Sequence, residues 1–155
     1  MLRERLRYLF LEFLIVLLAF VAQARGSEVF HFRPDFLLAA LIASIFFLRF
    51  FFVLFGASVG ILLLSWPLSS GVEGLLVFSL PLFFFLIKDF FFRFTPWLNV
   101  FLAVASGVVL FYLITSPPFL PGNYGIILSD IVVSGIFGML IAGLLRYYKG
   151  GAVFA

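Results

Sequence analysis

Apolar residues fall along this chain in six long blocks, separated by short punctuations of charge, glycine and proline. Within the blocks polar and apolar positions do not alternate, which excludes the pattern of a transmembrane β-barrel. Helices are then the way to satisfy every backbone group in lipid. The blocks are Tyr8–Ala24, Pro34–Leu48, Phe50–Trp66, Leu75–Ile87, Trp97–Thr115 and Ile126–Leu145. A crossing helix needs about 20 mostly apolar residues, with a lower bound near 17. Leu75–Ile87 is short and carries Pro81, so it needs Val72–Gly74 or Phe90–Phe92 to cross. Pro34–Leu48 is marginal; short helices cross by drawing on their flanks or by thinning the bilayer. The pattern predicts an all-α polytopic membrane protein, a six-transmembrane-helix bundle forming one domain over residues 1–155.

Pro34 to Trp66 cannot be one helix. At about 1.5 Å per residue it would run roughly 50 Å through a hydrocarbon core of about 30 Å. The expected turn is Arg49, flanked by phenylalanines on both sides, because a charge at the bilayer centre costs at least about 2.5 kcal/mol. No glycine or proline marks this turn. The alternative is a helix running on to Phe55 with Arg49 snorkelling to the interface.

Composition agrees with the pattern. Of 155 residues, 65% are hydrophobic and 11% charged, against about 45–50% and about 25% in soluble domains. Such a chain has too little polar surface to cover itself in water. With no cysteine, disulfides, thiolate metal sites and cysteine nucleophiles are excluded. The N-terminus has the basic start, apolar run and Ala-x-Ala-like end of a signal peptide; with five more blocks behind it, an uncleaved first helix is the simpler reading.

Charge sets the expected orientation. With the N-terminus inside and six spans, Arg3, Arg5, Arg7, Arg49, Lys88, Arg93, Arg146 and Lys149 fall on the inner side, and only Arg25 and Arg33 outside. That is the positive-inside pattern, and it places both termini in the cytoplasm. The prolines of Ser116–Gly125 make an outer loop.

Asp130 is the sharpest chemical signal, because an intramembrane carboxylate is a functional-site hypothesis by default. Steps of four join Asp130, Ser134, Gly138, Ala142 and Arg146 into one helix stripe, small and polar, suited to close helix contact. The alternative is a hydrated cap one turn from the outer surface. Gly56 and Gly60 form a G-x-x-x-G pair that lets two backbones approach; Ala103 and Gly107 make a weaker version. Arg33-Pro34-Asp35 reads as a helix start at the outer interface, with recognition by Arg33 and Asp35 as the second possibility. Glu12 is expected at the inner interface, Glu73 in an outer turn, and Asp89 with Arg93 as an exposed pair. His31, the single histidine, is a poor metal candidate. There is no H-E-x-x-H, G-x-S-x-G, P-loop or Cys/His cluster. No catalytic, cofactor or metal site is expected, and no nucleic-acid partner.

The order of features resembles the MreD family of rod-shape-determining proteins. The similar features are Pro34-Asp35-Phe36-Leu37-Leu38 opening the second helix, the basic turn at Arg49, and the run from Gly56 through Gly60 to Ser70-Gly71 and Gly74. The chain length and the basic end after the last helix are also similar. Members commonly carry an Asp four residues beyond the second glycine, where this chain has Leu64. The resemblance implies a non-enzymatic scaffold or adaptor of the cell-wall elongation complex in the bacterial inner membrane. It implies a bitopic MreC-like partner and, through it, the MreB filament and peptidoglycan synthases. It also implies a fold like the substrate-binding subunits of energy-coupling-factor transporters. A transporter subunit of that type is the alternative function. It would need an outer polar pocket, to which Asp130, Asn123, Tyr124, Glu73 and Arg33 could contribute, and an Ala-x-x-x-Ala docking face on its first helix, where Ala19, Ala22 and Ala24 miss that spacing, although Ala39 and Ala43 in the second helix have it. A channel or proton-coupled carrier would need Asp130 to line a hydrated path with a partner, and no second deep ionisable residue is expected from the sequence.

Overall fold

The computed structural model describes residues 2–64 and 71–149. Trp66, expected at the end of the third helix, and Ser70 of the glycine run lie outside the described residues. The described chain is all-helical: α1 Leu2–Phe30, α2 Phe36–Ser44, α3 Phe50–Leu64, α4 Gly71–Phe91, α5 Pro96–Thr115, a short 3-10 helix Pro117–Gly122, and α6 Tyr124–Tyr148. Four of these, α1, α4, α5 and α6, are long and apolar enough to cross a membrane. The chain is thus compatible with a multi-pass membrane protein. The fourth block does recruit both flanks: α4 has 21 residues, with Pro81 inside.

The second block departs from a full span. Helix α2 has only 9 residues, about 14 Å of helix against a core of about 30 Å. All nine are buried. Helix α2 packs against α1, α3, α4, α5 and α6 alike. Those five stand around it in the order α1, α3, α4, α5, α6, and α6 meets α1 where Tyr148 packs edge-on to Tyr8, 6.3 Å between ring centres. A short apolar helix with no lipid-facing side is thus the axis of the bundle.

A half-length helix in an apolar bundle exposes a structural problem. Its first N–H and last C=O groups have no partner within the helix, and lipid supplies none. Backbone groups of the following turn and side chains from the surrounding helices supply partners: the Ile42, Ala43 and Ser44 carbonyls accept the N–H groups of Ile45, Phe46 and Leu48. At the N-terminal end, Gln23 Oε1 of α1 accepts the Leu37 N–H at 3.0 Å, and Asp130 Oδ1 of α6 accepts the Asp35 N–H at 3.2 Å. Just beyond the C-terminal end, Lys88 Nζ of α4 donates to the Ile45 carbonyl at 2.8 Å, and Lys149 Nζ, just after α6, donates to the Phe47 carbonyl.

These bonds explain how the chain turns at Arg49 without glycine or proline. Helix α2 tightens through i→i+3 contacts such as Phe47 N–H to Ser44 O at 3.1 Å. The lysines take the Ile45 and Phe47 carbonyls, and α3 starts directly after Arg49, which is exposed. The turn is therefore where the sequence places it. Lys88 and Lys149 gather there, and Arg5 and Tyr8 line the same groove as Arg49 and Lys149. Arg33, Asp35 and Glu73 gather at the opposite end.

Small residues set the close approaches. A Cβ at Gly56 would overlap the Glu12 carboxylate of α1; at Gly60 it would meet Leu41 and Leu37 of α2 at 3.5 and 3.7 Å. On α6, a Cβ at Gly138 would lie 2.9 Å from Val104 Cγ2 and 3.5 Å from the Ala39 carbonyl. The loop after α1 reverses at His31, φ 58°, and folds back so that a Cβ at Gly26 would lie 2.8 Å from Pro34 Cγ.

Candidate functional site

Asp130 is the centre of the polar cluster. It is fully buried, not a hydrated cap. Its Oδ1 accepts the Ser134 hydroxyl at 2.7 Å as well as the Asp35 N–H, and its Oδ2 accepts the Tyr112 hydroxyl at 2.9 Å. The i,i+4 stripe read from the sequence is thus the buried face of α6, with Ser134, Gly138 and Ala142 all inside. The carboxylate faces the N-terminus of α2, where the helix dipole is positive and favours an anion.

Asp35 is the second deep carboxylate, only 8% exposed. Sequence reasoning placed it at the outer interface and did not pair it with Asp130. The depth follows from the shortness of α2. Its start is level with Gln23, well before the end of α1 at Phe30, and with Asp130, six residues into α6. At about 1.5 Å per residue, α2 begins roughly 10 Å below the ends of its neighbours.

That recess leaves a cavity of about 180 Å³ above α2. Its polar lining includes Gln23, Arg33, Asp35, Glu73, Tyr112 and Thr115. Asp130 lies behind this wall, reached through Tyr112 and Asp35. Asn123 and Tyr124, expected in such a pocket, are not part of it; Tyr124 is exposed and Asn123 caps α6. The cavity is smaller than ordinary ligand pockets of about 300–1,000 Å³. At the opposite end an open groove of about 610 Å³ is lined by Arg5, Tyr8, Arg49 and Lys149, among others. Burial, then the charges of Arg49 and Lys88, lower the Lys149 ammonium below the usual lysine range.

A third deep carboxylate was misplaced by sequence reasoning. Glu12 is fully buried rather than interfacial. Its Oε2 lies 3.1 Å from the Ser44 hydroxyl, whose single proton is shared between this carboxylate and the Ala40 carbonyl at 3.0 Å. Lys88 likewise turns inward, and Arg93 donates from Nε to the Asp89 carbonyl at 3.1 Å.

The remaining candidates are contacts within the bundle. Gly56 and Gly60 face α1, α2 and α4, and Ser134 and Gly138 face α2 and α5. Ala39 and Ala43 are fully buried in α2, so they offer no docking face. Among the described residues, no group of three His, Cys, Asp or Glu is placed to hold a metal ion. No family model, curated protein or solved structure matches this chain.

Proposed function

We propose that this protein is a non-enzymatic scaffold or adaptor subunit in the bacterial inner membrane, with both termini cytoplasmic. It binds a bitopic MreC-like partner in the wall-elongation complex and acts through it on the MreB filament and the peptidoglycan synthases. One observation carries the reading: the deep polar side chains are used to hold a sealed central helix. Asp130, Gln23, Lys88 and Lys149 bond backbone groups at and just beyond the two ends of α2, which favours a rigid frame over a moving carrier. The free surface is the apolar outer sides of the helices, such as Phe10 and Leu18 on α1 and Leu86 and Phe90 on α4. Partner helices in a membrane associate through such surfaces by packing. The arrangement of cations at one end supports the cytoplasmic assignment of that end.

The test is a gentle detergent pull-down of the tagged chain from its native membrane. The expected result is recovery of an MreC-like bitopic protein with wall synthases. Recovery of an ATPase pair with a coupling subunit would contradict it. That outcome is the substrate-capture reading, and the outer cavity is the observation in its favour.

A further inference from the structure

The recess above α2 holds a group with no partner. Asp35 lines the cavity, and its Oδ2 is buried there and makes no hydrogen bond. A buried carboxylate oxygen left unpaired is costly, so the site is incomplete as it stands. Glu73, in the first turn of α4, lines the same cavity. Asp130 adds a third carboxylate behind it, with both oxygens already occupied. Against these stands Arg33, which is exposed at the rim and makes no ion pair with either lining carboxylate among the described residues. The cavity therefore calls for positive charge.

The shape selects the kind of cation. The acidic groups do not converge into a three-ligand metal cluster among the described residues. Leu38, Val77 and Phe111 supply apolar wall beside the Asp35 carboxylate. Tyr112 adds a ring face of the type that attracts ammonium and guanidinium groups. Apolar wall next to a carboxylate suits a cation carried on an alkyl stem.

We propose that this cavity binds one organic cation, an ammonium or guanidinium group, with Asp35 Oδ2 as its anchor. The group is a lysine or arginine side chain of a partner protein, or a free alkylamine; the chemistry is the same. The proposed function bears only on which of these sources supplies it.

The purified full chain in lipid nanodiscs is titrated with n-butylammonium chloride and, separately, with n-butanol at constant ionic strength, and thermal stability is followed. The amine is expected to raise the melting temperature saturably and the alcohol not. Asp35→Asn is expected to weaken amine binding at least fivefold. Glu73→Gln, on the half-exposed first turn of α4, is expected to weaken it severalfold and serves where Asp35→Asn fails to fold. Arg33→Gln is expected to tighten it, because a repelling charge leaves the rim. Equal responses to amine and alcohol would overturn the proposal, as would amine binding unchanged in Glu73→Gln and in any Asp35→Asn that folds. Loss of binding in Arg33→Gln would also overturn it, by showing an occupant that needs the guanidinium. A photo-crosslinker at Thr115 in native membranes then separates the sources. A protein adduct assigns the cation to a partner, and amine binding without an adduct assigns it to a free amine. Because the titration uses the chain alone, it succeeds or fails independently of the pull-down.

Discussion

Asp130→Ala is expected to destabilise the bundle by about 3 kcal/mol, and Asp130→Asn by about 1 kcal/mol or less. Three donors converge on this carboxylate: the Asp35 N–H, the Ser134 hydroxyl and the Tyr112 hydroxyl. Alanine leaves all three without their acceptor. Each buried donor so stranded costs about 1 kcal/mol or more. Interhelical hydrogen bonds in membranes average nearer 0.6 kcal/mol, but here one change removes three at once, and with them the anchor of α2. Asparagine keeps the shape. Its oxygen still accepts from Ser134 and Asp35, and the Tyr112 hydroxyl turns to accept from the amide. Equilibrium unfolding in mixed micelles separates the two variants. Equal losses would mean that the charge, not the acceptor geometry, holds the helix.

Gly56→Ala is expected to cost about 2 kcal/mol, most of it recovered when Glu12 is also replaced by alanine. The new Cβ would overlap Glu12 Oε1 and lie 2.8 Å from its Cγ, so the whole side chain must move. Overpacking of this kind costs about 1–3 kcal/mol, and the displaced carboxylate loses Ser44. In a Glu12→Ala background there is nothing to displace, and Ser44 keeps its bond to Ala40. The double-mutant cycle should then show an interaction of about 1.5 kcal/mol between the two positions, within the range for residues in contact. Additive effects would mean that α1 and α3 separate as rigid bodies instead.

Much of this was legible in the sequence, and the rest was hidden for identifiable reasons. The stripe from Asp130 to Ala142 is visible because i,i+4 spacing fixes one helix face whatever lies opposite. Arg49 marks its turn because a lone charge in an apolar run must find a boundary. The burial of Glu12 is not visible: α1 is apolar nearly all round, so periodicity does not say which side is inside, and its partners Ser44 and Gly56 lie on other helices. The shortness of α2 is hidden for a related reason. A helix sealed by neighbours and a helix facing lipid have the same composition, so Pro34–Leu48 reads as a span. The recess and its cavity follow from that shortness, which is why Asp35 was placed at the surface.

The central claim is that α2, though only 9 residues long, joins opposite faces of the bundle. A chain without cysteine makes the direct measurement clean: single cysteines at position 33 and position 49, labelled in sealed membranes with an impermeant maleimide from each side. Arg33→Cys is expected to label only from outside and Arg49→Cys only from inside. Labelling of both from the same side would contradict the claim, because α2 would then enter and leave the membrane through one face.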